Sequence, residues 1–193
     1  MDFKGLSDNE VMEILKTADS NLFQDGFKEI VMRYKNNVAT FIYRSMGDRV
    51  KSEDLAQETF VRVFKHIKNY RSSAKFSTWI FTIARNLVKD EFKYKSRHPV
   101  SEMDEGANED ISVQTSGPAK VSENFELKDK IQITLKSMPS EDREILVLRE
   151  IEGLKYEEIA EILSLPVGTV KSRISRVRDT FVEIWKRKGV NIA

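Results

Sequence analysis

The residues best placed to do chemistry lie in one short run, "LPVGTVKSRISRVRD", from Leu165 to Asp179. It carries Lys171, Arg173, Arg176 and Arg178 between Val170, Ile174 and Val177. At about 100° per residue along a helix, Val170, Ile174, Val177 and Phe181 fall within roughly 40° of one another. Gly168, Ser172, Ser175, Arg176 and Asp179 fall opposite, with Lys171, Arg173 and Arg178 on the flanks. Such a face is suited to recognising an anionic polymer. Small groups let a helix approach base edges closely, and an arginine can pair bidentately with guanine. Flanking cations suit phosphates. A solvated amphipathic helix has the same composition, so the basic run alone does not decide. The element before it does: a helix predicted over about 155–163, a short turn holding Pro166, then a helix from about 167. Proline is tolerated at a first helical turn because that N–H has no intrahelical partner. The pattern is a helix-turn-helix, whose second helix enters the major groove.

Other chemistries find little support. The chain has no cysteine, which excludes disulfides, zinc ribbons and thiol catalysis. His66 and His98 are far apart and lack paired ligands, so no metal site and no cofactor are expected. No nucleophile–base pair or phosphate loop is visible, so the chain is expected not to be an enzyme and to have no small-molecule substrate. No apolar run approaches the ~18 residues needed to span a bilayer. The start, "MDFKGLSDNE", lacks a signal-peptide core. A cytoplasmic protein that is not membrane-inserted is expected.

The net charge of the 193-residue chain is only +1, but its distribution is uneven. Residues 71–97 hold seven Lys/Arg against two acids, a net of +5. Residues 98–124 hold one lysine against six acids, a net of −5, and residues 165–188 again hold seven against two. Two basic segments flanking an acidic one are a nucleic-acid signature. The first basic segment interleaves Tyr70, Phe76, Trp79, Phe81, Phe92 and Tyr94 with its cations. Aromatic platforms among cations hold unpaired bases, and six aromatics exceed what one buried helix side needs. Upstream, "SEDLAQETFVRVFKHI" sets Asp54, Gln57 and Glu58 at i, i+3 and i+4, on one face. That face is either simply solvated or a docking surface for a basic partner.

The elements that must position these residues are helical. Apolar residues recur every three or four positions in 23–42 (Phe23, Phe27, Ile30, Tyr34, Val38, Ile42). They do so again in 52–67 (Leu55, Phe60, Val63, Phe64, Ile67), with Ser52 as the expected cap, and in 77–95 (Trp79, Ile80, Ile83, Leu87, Phe92), with Ser77 or Thr78 as cap. Residues 98–122 have two prolines, two glycines, many acids and no period, and read as a linker. Beyond it, Leu127, Ile131 and Leu135 form a stripe ended by Pro139. Ser140 is the expected cap of a helix carrying Ile145, Leu148 and Ile151, ended by Gly153. The predicted architecture is all-α: a first domain over 1–97, an acidic flexible linker over 98–122, and a helix-turn-helix domain over 123–193.

Three stretches in this order, "DLAQETFVRVF", "FSTWIFTIARNLVKD" and "LREIEGLKYEEIAEILSLPVGTVKSRISRVRD", resemble the extracytoplasmic-function (ECF) sigma factors, the smallest members of the sigma-70 family. The resemblance covers about residues 10–188. It implies a dissociable subunit of bacterial core RNA polymerase that directs promoter recognition and initiation, with a region 2-like first domain and a region 4-like second. Asp54, Gln57 and Glu58 match the face that binds the β′ clamp helices; region 4 implies a contact with the β flap. Tyr70 and Asn86 match positions around the pocket for a flipped −10 base, Trp79, Phe81 and Lys89 lie in the same melting segment, and Arg71 is a further −10 DNA-binding residue. Lys171, Ser172, Ser175 and Arg176 match −35 readers, with Arg149, Thr169 and Arg173 near the backbone. An anti-sigma factor is the further partner implied. The chain departs from the family's frequent residues at Thr82 (often Arg), Lys155 (often Ser) and Ser175 (often bulky), which bears on promoter preference. A polymerase-independent helix-turn-helix regulator is the alternative. It accounts for residues 140–188 but leaves the acidic face and the aromatic–basic segment idle.

Overall fold

The computed structural model describes residues 2–98 and 120–188, with 120–125 as backbone alone. The linker expected over 98–122 lies, but for its ends, outside the described residues. Every regular element among the described residues is helical, as predicted. The first half holds α1 (Asp8–Thr17), α2 (Ser20–Met46), α3 (Arg49–His66) and α4 (Phe76–Arg97), with a 3-10 turn at Ile67–Asn69. The second holds α5 (Lys120–Lys136), α6 (Ser140–Leu146), α7 (Tyr156–Leu163) and α8 (Val167–Arg187). A π-helical turn, Val147–Ile151, extends α6.

Local chemistry sets the boundaries, at positions that differ from those expected. α2 starts because Asp19 Oδ1 accepts from the Leu22 N–H at 2.9 Å. It stops at Gly47, whose φ of 75° is the left-handed conformation a glycine adopts without strain. Asp48 follows at once and caps α3 by accepting from the Lys51 N–H at 3.0 Å. Ser52, the cap expected from sequence, is buried one turn inside, its hydroxyl donating to the Asp48 carbonyl. Ser77 and Thr78 are likewise not caps. α4 begins at Phe76 behind Lys75, which offers no side-chain cap. Asn9 of α1 supplies it instead: Asn9 Oδ1 accepts from the Phe76 N–H at 3.3 Å and from the Tyr70 hydroxyl at 2.7 Å. Pro139, not Ser140, is the residue before α6.

α1 is an element that the apolar stripes above do not announce. Its signal was present: "SDNE" makes a capping box, with the Ser7 N–H donating to Glu10 Oε2 at 2.7 Å and Ser7 Oγ accepting from the Glu10 N–H. Arg33 of α2 ties this helix down through Asp8 at 2.7 Å and the carbonyls of Phe3 and Leu6.

The apolar stripes meet in one interior. Val38, Phe41 and Ile42 of α2 pack with Val63 of α3 and Ile80, Phe81 and Ala84 of α4. This core is continuous with Ile145, Leu148, Ile159, Val170 and Ile174 of the second half. Three stripe residues depart: Phe64, Leu127 and Ile151 are exposed. Phe64 instead sits edge-on to Phe23 and Phe27, at centroid distances of 5.3 and 5.5 Å.

Because Asn9 serves both the start of α4 and the Tyr70 hydroxyl, Asn9→Ala is expected to cost about 1–3 kcal/mol. The measurement is the urea unfolding midpoint; an unchanged midpoint contradicts this role.

Candidate nucleic-acid interface

α8 is positioned by the turn before it. At the end of α7, Ser164 takes φ 54°, a left-handed conformation unusual for a side-chain-bearing residue. The Leu165 N–H then reaches back to the Ala160 carbonyl at 2.9 Å, closing the helix end. Pro166 stands immediately before α8, in extended conformation. The turn is therefore made by Ser164 and Leu165, and the proline supplies the entry to the helix. On α8 the predicted faces separate: Val170, Ile174 and Val177 are buried, while Thr169, Lys171, Ser172, Ser175 and Arg176 are exposed. A Cβ added at Gly168 would meet open space.

The cations flanking that face are not equivalent. Arg176 is exposed and is in no ion pair among the described residues. Arg173 is bound at home: it reaches Glu141 at 2.6 Å and Asp142 at 3.2 Å, both in the first turn of α6. The hydrogen bond to Glu141 holds that carboxyl below its usual range. Arg178 pairs with Glu150 at 2.6 Å. Arg149 lies over the Tyr156 ring, 4.5 Å from its centroid, and donates to the Leu154 carbonyl at 2.7 Å. α7 lacks the hydroxyl cap that Lys155 displaces, but the Glu158 carboxylate accepts from the Lys155 N–H at 2.8 Å.

The aromatic surplus of the first half turns out to be mostly interior. Tyr70, Phe76 and Phe81 are buried, with Phe81 against Phe41 at 5.5 Å. Tyr70 is fixed by Asn9 and by the Ala74 carbonyl at 2.8 Å, and burial pushes its hydroxyl up to about 12. Helices packed on both α2 and α3 need more apolar area than one buried side, which is where the extra rings go. Trp79 is half-buried against Tyr70, while Arg71, Asn86 and Lys89 are exposed. Thr82 donates to the Thr78 carbonyl within α4. On α3, Asp54 and Gln57 are exposed and Glu58 accepts from Arg62 at 3.0 Å, so the three acceptors share an outward face.

Several contacts that sequence reasoning did not assign join the two halves. Arg85 of α4 lies 2.9 Å from Glu144 of α6, and Lys75 lies 2.9 Å from Glu158. Arg143 is buried and donates to the Ser45 carbonyl at 2.6 Å, and Asn37 donates to Glu152 at 2.9 Å. No spacing rule signals pairs this distant in sequence. Among the described residues there is no His/Cys/Asp/Glu group able to hold a metal. No described helix is long and apolar enough to cross a membrane.

Residues 30–98 match the Sigma-70 region 2 model and residues 128–180 match the Sigma-70 region 4 model. Two such modules in this order define a sigma factor of the sigma-70 class. The chain is 35% identical over 162 residues to the ECF RNA polymerase sigma factor SigW of Bacillus subtilis, covering 81% of this chain and 87% of that protein. It is 34% identical over 183 residues to the ECF RNA polymerase sigma-E factor of Escherichia coli K12, covering 90% and 92%. The fold is similar to that of the sigma factor RpoE solved with the anti-sigma factor NepR from Bartonella quintana (TM-score 0.65, 25% identity, 83% of this chain and 96% of that one). It is also similar to CnrH solved with the cytosolic domain of CnrY (TM-score 0.69, 22% identity, 93% and 97%). The chain belongs to the ECF group of the sigma-70 family.

Glu152 gives the junction a pH dependence. Burial pushes its carboxyl up to about 7 from the ordinary 4.5, against the lowering effect of the Asn37 hydrogen bond, and Oε1 has no partner. A raised acid binds its proton more tightly when folded, so its contribution is fully present below about pH 4.5 and is lost as pH rises through about 7. Glu152→Gln is therefore expected to raise the melting temperature at pH 8 more than at pH 5. Equal effects at the two values contradict the assignment.

Proposed function

We propose that this sigma factor brings bacterial core RNA polymerase to promoters and reads them with both halves. The observation that carries the proposal is α8: one side locked into the core, the other presenting Thr169, Lys171, Ser172, Ser175 and Arg176 to solvent, in a chain with both sigma-70 modules. Arg176 reads a base of the −35 element, with Ser172 and Ser175 beside it. Lys171 and Thr169 meet the backbone, and Arg149 and Arg173 join them when free of their present partners. In the first half, Trp79, Asn86 and Lys89 of α4, with Arg71 before it, hold the unpaired −10 strand. Capture of a flipped base costs a few kcal/mol in unstacking, met by aromatic stacking and hydrogen bonds. Tyr70 and Phe81 act from the interior by fixing the frame under those residues.

Asp54, Gln57 and Glu58 are the docking face for the β′ clamp helices, and the second half meets the β flap. A stand-alone regulator has no use for the α3 face, which favours the polymerase-dependent reading. The chain acts without chemistry of its own and works in the cytoplasm, where the polymerase is. An anti-sigma factor controls it, in keeping with the RpoE relative solved with one. The domain limits we assign are 1–97 and 123–193.

Two measurements test this. Asp54→Ala with Glu58→Ala should lose co-purification with core polymerase while keeping the native unfolding midpoint; retained binding overturns the docking face. On a promoter recovered by mapping transcription starts, Arg176→Ala should lose about 1–3 kcal/mol of holoenzyme binding and relax preference at one −35 position. A uniform loss across all sequences would make Arg176 a phosphate contact instead.

A further inference from the structure

The acids at the start of α6 hold a cation from each proposed DNA-contacting helix. Glu141 and Asp142 hold Arg173 of α8, at 2.6 and 3.2 Å. Glu144, one turn on, holds Arg85 of α4 at 2.9 Å. Lys89, Lys93 and Ser140 line the same cleft of about 300 Å³. The Arg85–Glu144 pair crosses between the two halves, and both side chains are largely withdrawn from water, with 19% and 14% of their surface exposed. A second crossing pair, Lys75–Glu158, draws the residue before α4 onto α7. The oxygens that Arg85 and Arg173 meet are carboxylates, and arginine recognises carboxylate and phosphate with the same donor fork.

We propose that the acids of α6, Glu141, Asp142 and Glu144, are a built-in competitor for promoter phosphate: they occupy Arg85 and Arg173 in the free chain and keep the two halves closed until DNA takes their place. This rests on the promoter-reading proposal above. The pair that crosses the halves is built to exchange. Arg85 Nε is close to Glu144 but its N–H is not aimed at an acceptor. A withdrawn ion pair with incomplete hydrogen bonding contributes little net stability, because desolvation offsets the attraction. Replacing Glu144 by a phosphate that remains partly hydrated removes that desolvation from the carboxylate. The buried Arg143, beside Glu144, stays as the fixed part of the junction through its bond to the Ser45 carbonyl.

The chain's lack of cysteine makes the test direct. Fluorophores are placed at Lys65→Cys and Lys186→Cys, both exposed, one in each half. The full-length labelled chain is compared with its Glu141→Gln/Asp142→Asn/Glu144→Gln variant, without polymerase, on the mapped promoter fragment. The variant should show lower energy transfer, bind about fivefold or more tightly, and steepen the salt dependence of binding by about two ions for the two cations freed. Arg85→Glu with Glu144→Arg restores the pair in reverse. It should return the energy transfer to the wild-type value while losing the gain in binding. Because the triple variant removes acids from a helix start, its unfolding midpoint is measured alongside, and the reversed pair carries the test if that midpoint falls. Unchanged energy transfer in the triple variant, or a reversed pair that stays open, overturns the clasp. A chain that opens without gaining affinity overturns the competitor role. If Arg176→Ala then binds the same fragment as the wild type does, the fault lies with the promoter reading itself.

Discussion

A buried guanidinium sits where the two halves of this molecule meet. Arg143 lies between the last turn of α2 and the start of α6, donating to carbonyls of Ser45, Met138 and Lys136. Burial depresses its basicity, and no neighbouring acid compensates. A charge withdrawn from water is costly unless its donors are met, and here the two terminal nitrogens are met by backbone carbonyls at and just after helix ends, while Nε has no partner. Helix C-termini carry unpaired carbonyls and partial negative charge. Arg143 thus satisfies the end of α2 and the loop after α5 at once. Together with the buried Ile145 and Leu146, this side chain fixes how α6 sits against α2, and through α6 where α7 and α8 lie.

Around that point the interface mixes apolar continuity with exchangeable charge. Leu148, Ile159 and Phe81 belong to a core that does not stop at the domain limit. The polar contacts along it, the ion pairs Arg85–Glu144 and Lys75–Glu158 and the hydrogen bond Asn37–Glu152, join side chains that each half would otherwise show to solvent or to nucleic acid. Glu144 and Glu152 are both pushed up by burial, which marks them as carboxylates held against their preference for water. A junction built this way is stable as an arrangement of apolar surfaces and adjustable in its charges. That suits the proposed reading of two separate promoter elements, one by each half.

The division between the two faces of α8 shows why some site residues were readable in advance. Periodicity alone placed Val170, Ile174 and Val177 inward and Ser172, Ser175 and Arg176 outward, because a helix has a single angular step. The same rule misjudged the aromatics of α4. It assumes one buried side, but α4 packs on α2, α3 and α7, and so Phe76 and Phe81 are both interior; Tyr70, which follows the 3-10 turn before α4, is buried as well. Caps failed for a related reason. Ser52, Ser77 and Thr78 have the right chemistry within a few residues of the right place. The groups that do cap are Asp48, next to the glycine that ends α2, and Asn9, brought in from another helix.

What the sequence determined by itself was therefore everything carried by local rules: the all-α class, the helix-turn-helix, the acidic face of α3, the uneven charge, and the family resemblance written in three ordered stretches. The capping box of α1 was equally local and legible in "SDNE". Which charges are free is set instead by how the helices pack. Arg173 and Arg176 are three residues apart with the same side chain, yet one is clasped by Glu141 and Asp142 and the other is exposed. The physical reason is that an ion pair depends on a few ångströms of distance in space. Those few ångströms between α6, α4 and α8 are set by the packing of the whole chain, not by any stretch of it.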